Sequence, residues 1–341
     1  MSTRLRNLDT NSRGYYWNYH TSIYLNSNGT QKFSTLDGWK INWTFTSNDS
    51  GQPGTGSVTI YNVAPQHMRG MKINNPISIW TGPPKLFGRL CLGKITKVSQ
   101  GFDDKDHTVT LNFSESAGYE NQQSVKLYNG AKTIITKHTT KGKAPHRNKK
   151  GKLIGGKAAK TTVKKKVKKA KWVAKTFNRG IKAKQIIQWI SHKCRIRIGR
   201  LKLKNNKSYR RGYRLSQKPL QALTNLASDC GSRVYYRGSN LIIDDGNDLN
   251  PFHEHLVLGI GSGLLQQPTV NQREQKNKKG KITAVGTHSF TSMEDPRVLA
   301  GSNIFFDPQT IRGMTKNLYT VKSITHQGNQ DGYQMSGVVY G

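Results

Sequence analysis

Trp39-Lys-Ile-Asn-Trp43-Thr-Phe45 sets Trp39, Ile41, Trp43 and Phe45 on one face at a period of two, with Lys40, Asn42 and Thr44 on the other. That alternation predicts a strand with one face on a core and one face in water. Downstream, Asn48-Asp-Ser-Gly-Gln-Pro-Gly-Thr-Gly56 reads as a loop. Four more strand patterns follow: Ser57-Val-Thr-Ile-Tyr-Asn-Val63, Pro76-Ile-Ser-Ile-Trp80, Leu90-Cys-Leu-Gly-Lys-Ile-Thr-Lys-Val98 and Thr108-Val-Thr-Leu-Asn-Phe113. The polar tip Phe102-Asp-Asp-Lys-Asp-His107 turns the last two into a hairpin. Five short strands at close spacing predict a small antiparallel barrel or sandwich. Upstream, residues 1–35 are polar and rich in tyrosine, and read as an extended arm or edge strand.

The pattern changes after Phe177. Lys182-Ala-Lys-Gln-Ile186-Ile-Gln-Trp189-Ile190-Ser-His-Lys-Cys194 carries apolar residues at helical spacing, and Ile196-Arg-Ile198-Gly-Arg-Leu201-Lys-Leu203 alternates like a strand with a cationic outer face. Over Ser216–Ala227 there is a capping-type Ser216, Pro219 in the first turn, leucines three apart, and Gly231 beyond the end. These are the marks of a short helix. Arg233–Asp244 reads as a hairpin turning on Gly238-Ser-Asn, so the middle is an α+β unit. The last third returns to strands at 281–286, 304–306, 318–324 and 333–340. There Thr320-Val-Lys-Ser-Ile-Thr-His-Gln-Gly-Asn-Gln-Asp leads to the strand at Tyr333 much as Ile95-Thr-Lys-Val-Ser-Gln-Gly-Phe-Asp-Asp leads to the strand at Thr108. The match suggests two related β units flanking the α+β unit.

Charge is unevenly placed. Between Asn121 and Ser228 there is no Asp or Glu, yet the stretch holds 32 of the 55 Lys and Arg of the 341-residue chain. The other 23 basic groups face all 18 acidic ones, so nearly all of the net charge of +37 belongs to the middle. Such a charge attracts polyanions, whether nucleic acid, acidic protein or anionic lipid. Residues 138–172 are low in complexity, and like charges this dense predict an extended segment. Its candidate contact residues for a polyanion or an acidic partner are Lys149, Lys150, Lys164, Lys165, Lys166, Lys168, Lys169, Lys171 and Trp172. On nucleic acid they would follow the backbone without sequence choice, with Trp172 and Phe177 for stacking. The alternatives are docking on an acidic neighbour or a solvated linker.

No chemistry stands out. Gly151-Lys-Leu-Ile-Gly-Gly156-Lys157-Ala158 approaches a phosphate loop, but Ala158 replaces the magnesium-binding hydroxyl and no buried strand precedes it. Gly259-Ile-Gly261-Ser-Gly263 has the wrong spacing for a dinucleotide loop. His253 and His255 lack a visible third ligand, and Asp103, Asp104 and Asp106 read as a solvated hairpin tip. Cys91, Cys194 and Cys230 are far apart and read as apolar residues of a protein made in a reducing compartment. No run of about 18 apolar residues exists, and Met1–Asp9 lacks the apolar core of a secretion signal. No enzyme, metal or cofactor is expected.

Three groups of residues carry a family likeness. Ser57–Pro65, Ile77–Trp80 and Phe87–Ser99 resemble the first barrel of phage tail hub proteins. Leu220–Gly231 with Asn240–Asp244 resembles their middle helix and hairpin. Gly261–Pro268, Leu299–Ser302 and Tyr319–Asn329 with Gly332-Tyr-Gln resemble their closing barrel. The likeness covers about 55–115 and 175–341 in the family's order, nearest to the baseplate hubs of contractile tails and related bacteriocin particles.

It implies a mainly β fold, with two tube-like antiparallel β-barrel domains flanking a small α+β domain. The expected divisions are an arm over 1–36, a first barrel over 37–137, a Lys-rich insert over 138–175, the α+β unit over 176–250 and a second barrel over 251–341. It further implies a non-enzymatic homotrimer in a virion baseplate, assembled in the host bacterial cytoplasm. Three chains would form a pseudo-sixfold ring that joins the tail tube, or a tube-initiator protein, to a central spike. Tape-measure protein, baseplate wedge proteins and DNA in the channel are the other implied partners. The insert at 138–172 departs from the family pattern. A nucleic-acid-binding protein using 121–228 is the competing reading, and a fused cell-wall hydrolase finds no segment to occupy.

Overall fold

The computed structural model describes residues 18–26, 31–115, 122, 124, 126–129, 133–158, 160–167, 171–238, 240–246, 256–259, 263–276, 282–306 and 318–340. The first third forms β1 (His20–Leu25), β2 (Gln31–Ser34), β3 (Ile41–Asn48), β4 (Thr55–Tyr61), β5 (Pro76–Gly82), β6 (Gly88–Asp103) and β7 (Asp106–Ser114). The alternation at Ile41–Phe45 does what it predicts: Ile41, Trp43 and Phe45 are buried while Thr44 is exposed. Trp39 lies just ahead of β3, half-buried against the same core and edge-on to Phe33 at 4.9 Å. All seven strands feed that core, which also holds Ile23, Ile60, Ile79 and Leu111. Residues 20–34, in the stretch read as an arm or edge strand, supply two of these strands, with β2 at the sheet's end.

Next comes a cationic ribbon. It comprises β8 (Lys126–Asn129), β9 (Thr133–Thr140), β10 (His146–Arg147), β11 (Leu153–Ile154), β12 (Lys160–Val167) and β13 (Lys171–Phe177). β13 pairs with β8, β12 with β9 and β11 with β10, all antiparallel, so the chain runs out to a tip and returns beside itself. The predicted extended segment is therefore a paired hairpin arm. Threonine and valine at β9 and β12 suit strands, and cross-strand hydrogen bonds hold what charge alone would splay.

The α+β unit contains β14 (Ile181–Lys182), α1 (Ala183–Cys194), β15 (Ile198–Leu201), β16 (Ser208–Tyr209), β17 (Tyr213–Leu215), α2 (Pro219–Asp229), β18 (Arg233–Arg237) and β19 (Asn240–Asp244). Ile186, Ile187 and Ile190 of α1 meet Leu220, Leu223 and Leu226 of α2 over Val234, Leu241 and Ile243. α2 starts two residues later than its capping signal suggests. Lys218 stands at the N-cap without a side-chain bond, and Pro219 is the first helical residue. Pro219 disfavours helical backbone at the residue before it, which leaves Ser216 outside the helix.

The last third forms β20 (Leu256–Leu258), β21 (Leu264–Lys276), β22 (Ile282–Met293), β23 (Asn303–Phe306), β24 (Tyr319–Gly328) and β25 (Tyr333–Tyr340). All six contribute to a third core around Phe290, Phe306, Tyr319 and Met335. β3 pairs antiparallel with β24, so the first and last thirds share one thirteen-stranded sheet among the described residues.

The α+β unit locks onto the seam between these two parts. Tyr340 donates to Asp49 at 2.6 Å, and the Arg233 guanidinium stacks over the Tyr340 ring. Arg237 donates to Ser302 at 2.7 Å, and the Gly238 amide donates to Glu115 at 3.1 Å. Gly301 adopts φ +78° with the Tyr235 ring against it, where any Cβ would sit 2.5 Å from a ring carbon.

Candidate functional site

The sheet is a repeat. Its first part runs β5-β6-β7-β4-β3, and its last part runs β23-β24-β25-β22-β21. Chain order matches position by position, because β3 to β7 are five successive strands and so are β21 to β25. The registers match as well. Between β6 and β7 one residue, Thr96, bulges between Ile95 and Lys97; between β24 and β25 Lys322 bulges between Val321 and Ser323. The Asn74 amide donates to the Ile95 carbonyl, and the Ile95 amide donates to Asn75. In the last part the Gly301 amide donates to Val321, and the Val321 amide donates to Ser302. Asn74 and Gly301 both hold the left-handed conformation, at φ +70° and +78°. A shared strand order is common among β proteins. A shared order with the same bulge and the same left-handed corner is a specific signature, since bulges re-aim strands at defined points.

Opposite the cores, the continuous sheet presents a hydroxyl face. One row crosses Thr55, Thr46, Thr325, Ser336 and Thr291, each on a different strand. Thr46 and Thr325 join hydroxyl to hydroxyl at 3.0 Å across the seam, Thr44 and Ser57 at 3.0 Å, and Thr59 and Thr110 at 2.9 Å. These positions are uncharged, in contrast to the ribbon.

The structure separates the predicted contact residues along that ribbon. Lys149 and Lys150 are exposed in the turn between β10 and β11. Lys164, Lys165 and Lys166 occupy β12 opposite Thr136, Ile135 and Ile134. Lys171 and Trp172 begin β13 opposite Asn129 and Tyr128. Lys168 and Lys169 lie outside the described residues. The phosphate-loop look-alike is the returning side of the tip hairpin, where Gly151 turns at φ +78° and Lys157 bridges back to Lys143. Nothing in that hairpin forms a cradle at the start of a helix, which a phosphate loop requires.

The other candidates have structural partners. Asp103 accepts from Tyr61 at 3.0 Å, and Asp106 pairs with Lys40 at 3.1 Å while accepting from Asn62 at 3.0 Å. Among the described residues no group of three or more His, Cys, Asp or Glu could hold a metal ion. His253 and His255 lie outside the described residues, as do positions 260–262 of the glycine-rich loop. Cys91, Cys194 and Cys230 are free thiols.

Two buried glutamates escaped the sequence reading. Glu115, 2% exposed, accepts from the Gly238 amide; burial pushes its carboxyl up to about 7, against the opposing pull of Arg237. Glu294 lies 2.8 Å from Nδ1 of His326, and burial raises its carboxyl while His326 pulls it back. Both stand at joints between parts of the chain. No motif marks either one.

No family profile matches the sequence, and no curated protein matches it either. Solved structures do match. A tail protein from Neisseria meningitidis MC58 superposes with a TM-score of 0.56 at 10% identity, over 95% of this chain and 97% of that one. The 43 kDa tail protein of prophage MuSo2 from Shewanella oneidensis superposes with a TM-score of 0.57 at 10% identity, over 94% and 98%. The chain has the fold of phage tail proteins. The same fold extends to the E. coli c3393 protein, a type VI secretion component described as similar to the T4 tail proteins gp27 and gp5. Its TM-score is 0.52 at 9% identity, over 88% of this chain and 73% of that one. Similarity over nearly the full length includes both sheet parts and the α+β unit. The mainly β class expected from the sequence is the class observed.

Proposed function

We propose that this chain is the structural hub of a phage or phage-like tail baseplate. It acts without catalysis, as a homotrimer whose pseudo-sixfold ring joins the tail tube to a central spike. The duplicated sheet supports this reading most. A ring that meets six tube subunits on one side and a threefold spike on the other needs two similar modules in each of three chains. The row of hydroxyls across the sheet face opposite the cores supports a channel lining for tape-measure protein and DNA. The whole-length likeness to tail proteins agrees with the scaffold. Wedge proteins and a tube or tube-initiator protein are the neighbours this role requires, in a virion assembled in the bacterial cytoplasm.

Within that role the ribbon docks on an acidic neighbouring tail protein. Its tip lysines are exposed, and the surrounding stretch of the chain carries no acidic side chain to neutralise them. The test is the mass of the purified protein in solution, followed by imaging of the particle. A trimer with a central channel and six similar lobes is expected; a monomer, or a ring of another order, overturns the hub.

The same cationic stretch favours one second reading, a nucleic-acid-binding protein. Titration of the isolated chain with random-sequence DNA separates the two. Tight binding with a steep loss of affinity as salt rises supports the second reading. Weak binding at physiological salt supports the hub.

A further inference from the structure

The ribbon is anchored at its base. β13 pairs with β17, and Phe177 at the end of β13 is buried in the core of the α+β unit. Further out, β9 and β12 pair with each other alone among the described residues. A two-stranded ribbon is marginal in water unless a third strand or a packed face supports it. Repulsion weakens this one further, since the chain has no Asp or Glu from Asn121 to Ser228. A strand paired on one side only also turns alternate amides and carbonyls outward, as a template for another strand.

We infer that the outer edge of β12 takes up an acidic segment of a partner protein as a third strand. This rests on the docking of the ribbon proposed above and specifies the form of the partner: an extended segment with carboxylates at every second position. Backbone pairing then fixes the geometry, and the lysines choose the segment.

Composition selects the edge. β12 carries four lysines, Lys160, Lys164, Lys165 and Lys166, whereas Lys137 is the one lysine of β9. Strand alternation sets Lys160, Lys164 and Lys166 at positions of one face and Lys165 at a position of the other. A neighbouring strand presents its own residues to that face at the same period of two. Carboxylates at alternate positions therefore fall beside Lys164 and Lys166 in succession, and opposite charges on adjacent strands attract. The same lysines exclude other occupants. A second copy's ribbon would set lysine beside lysine, and a neutral strand would leave the charges unanswered.

The tip continues the same edge. β11 lies on the returning side ahead of β12, and Lys157 bridges to Lys143 between them. Leu153 and Ile154 of β11 are 58% and 45% exposed, opposite Arg147 and His146. Neighbouring positions of a strand face opposite ways, so the tip offers an aliphatic side chain on each face. A polypeptide can cover both, whereas a phosphate backbone has nothing apolar to place there. That favours an acidic protein over nucleic acid as the occupant.

The test uses the full chain and three probes: a peptide of six Glu-Thr repeats, a peptide of six Glu-Pro repeats, and random-sequence DNA. The two peptides share charge and spacing, but proline cannot donate to a ladder. At physiological salt the Glu-Thr peptide is expected to bind at least tenfold more tightly than the Glu-Pro peptide, and more tightly than the DNA. Its affinity should fall as salt rises. Hydrogen exchange should show added protection at alternate amides of β12. Lys164→Gln with Lys166→Gln should weaken the Glu-Thr peptide at least fivefold, and Lys165→Gln less than twofold. A ratio below tenfold between the peptides, or β12 amides that gain no protection, overturns strand addition and leaves the docking on an acidic protein standing. Equal losses from the two sets of substitutions overturn the assignment of the face. DNA bound as tightly as the Glu-Thr peptide, or more tightly, overturns the docking as well. No binding of any probe overturns the docking and this contact together, while solution mass still decides the hub by itself. If a variant does not fold to the wild-type mass, exchange on the wild-type chain with the Glu-Thr peptide decides, and unprotected β12 amides overturn the pairing.

Discussion

Glu115 is the residue most exposed to a change of conditions. It is buried where the end of β7 meets the Gly238 turn of the α+β unit, and its carboxyl is raised from 4.5 to about 7. An acid whose folded pKa is raised binds more protons folded than unfolded between those values. Stability from this group is therefore fully present below about pH 4.5 and declines as pH rises towards 7. Glu115→Gln removes the titration and keeps an acceptor for Gly238. The variant is expected to gain on the wild type by about 2–3 kcal/mol between pH 4.5 and 7.5, with a plateau above. Thermal unfolding of both proteins across that range checks it; a constant difference would mean that Glu115 does not titrate there. A second residue-scale expectation concerns the seam. Phe45 is fully buried and stacks 6.0 Å from Phe113. Phe45→Ala should cost about 3–5 kcal/mol in any state of assembly. Val270→Ala, on β21 where the side chain is 50% exposed, should cost less than about 1 kcal/mol. Denaturant unfolding of both variants checks the contrast.

At the scale of elements, the ribbon carries the testable charge. Neutralising Lys149 and Lys150 with glutamine leaves the three cores untouched, because both side chains are exposed in the tip turn. The double variant should unfold within about 0.5 kcal/mol of the wild type. It should bind polyglutamate or random DNA more weakly, with a salt slope lower by about one for each lysine that had neutralised an anionic group. An unchanged slope would exclude the tip from polyanion contact.

Elements also show what a sequence reveals. β3 to β7, α1 and the hairpin of β18 and β19 are legible because burial imposes a period of two or 3.6 on their side chains. β21 is not, because after the buried Leu264 its residues Leu265–Gln267 and Thr269–Asn271 are exposed, so burial imposes no period of two there. The ribbon hides for a related reason: its strands are fixed by pairing with each other, so charge dominates their composition. The Thr320 and Ile95 segments are the one visible trace of the repeat. The bulge that aligns them is a property of the ladder, which no residue type announces.

For the whole molecule the expectation concerns number. The purified chain should have three times the monomer mass in solution, and its particle should show six similar lobes around a channel. Sedimentation and electron microscopy measure both. The internal seam between β3 and β24 already joins two modules within one chain, which limits the ways identical copies can misassemble.

One further property follows from where the ribbon enters the chain. It is inserted between β7 and the α+β unit, so it springs from the first of the two sheet modules. An acidic partner captured by that arm would therefore rest beside the first module, and neighbouring modules around the circle, alike in their strands, would differ in what stands next to them.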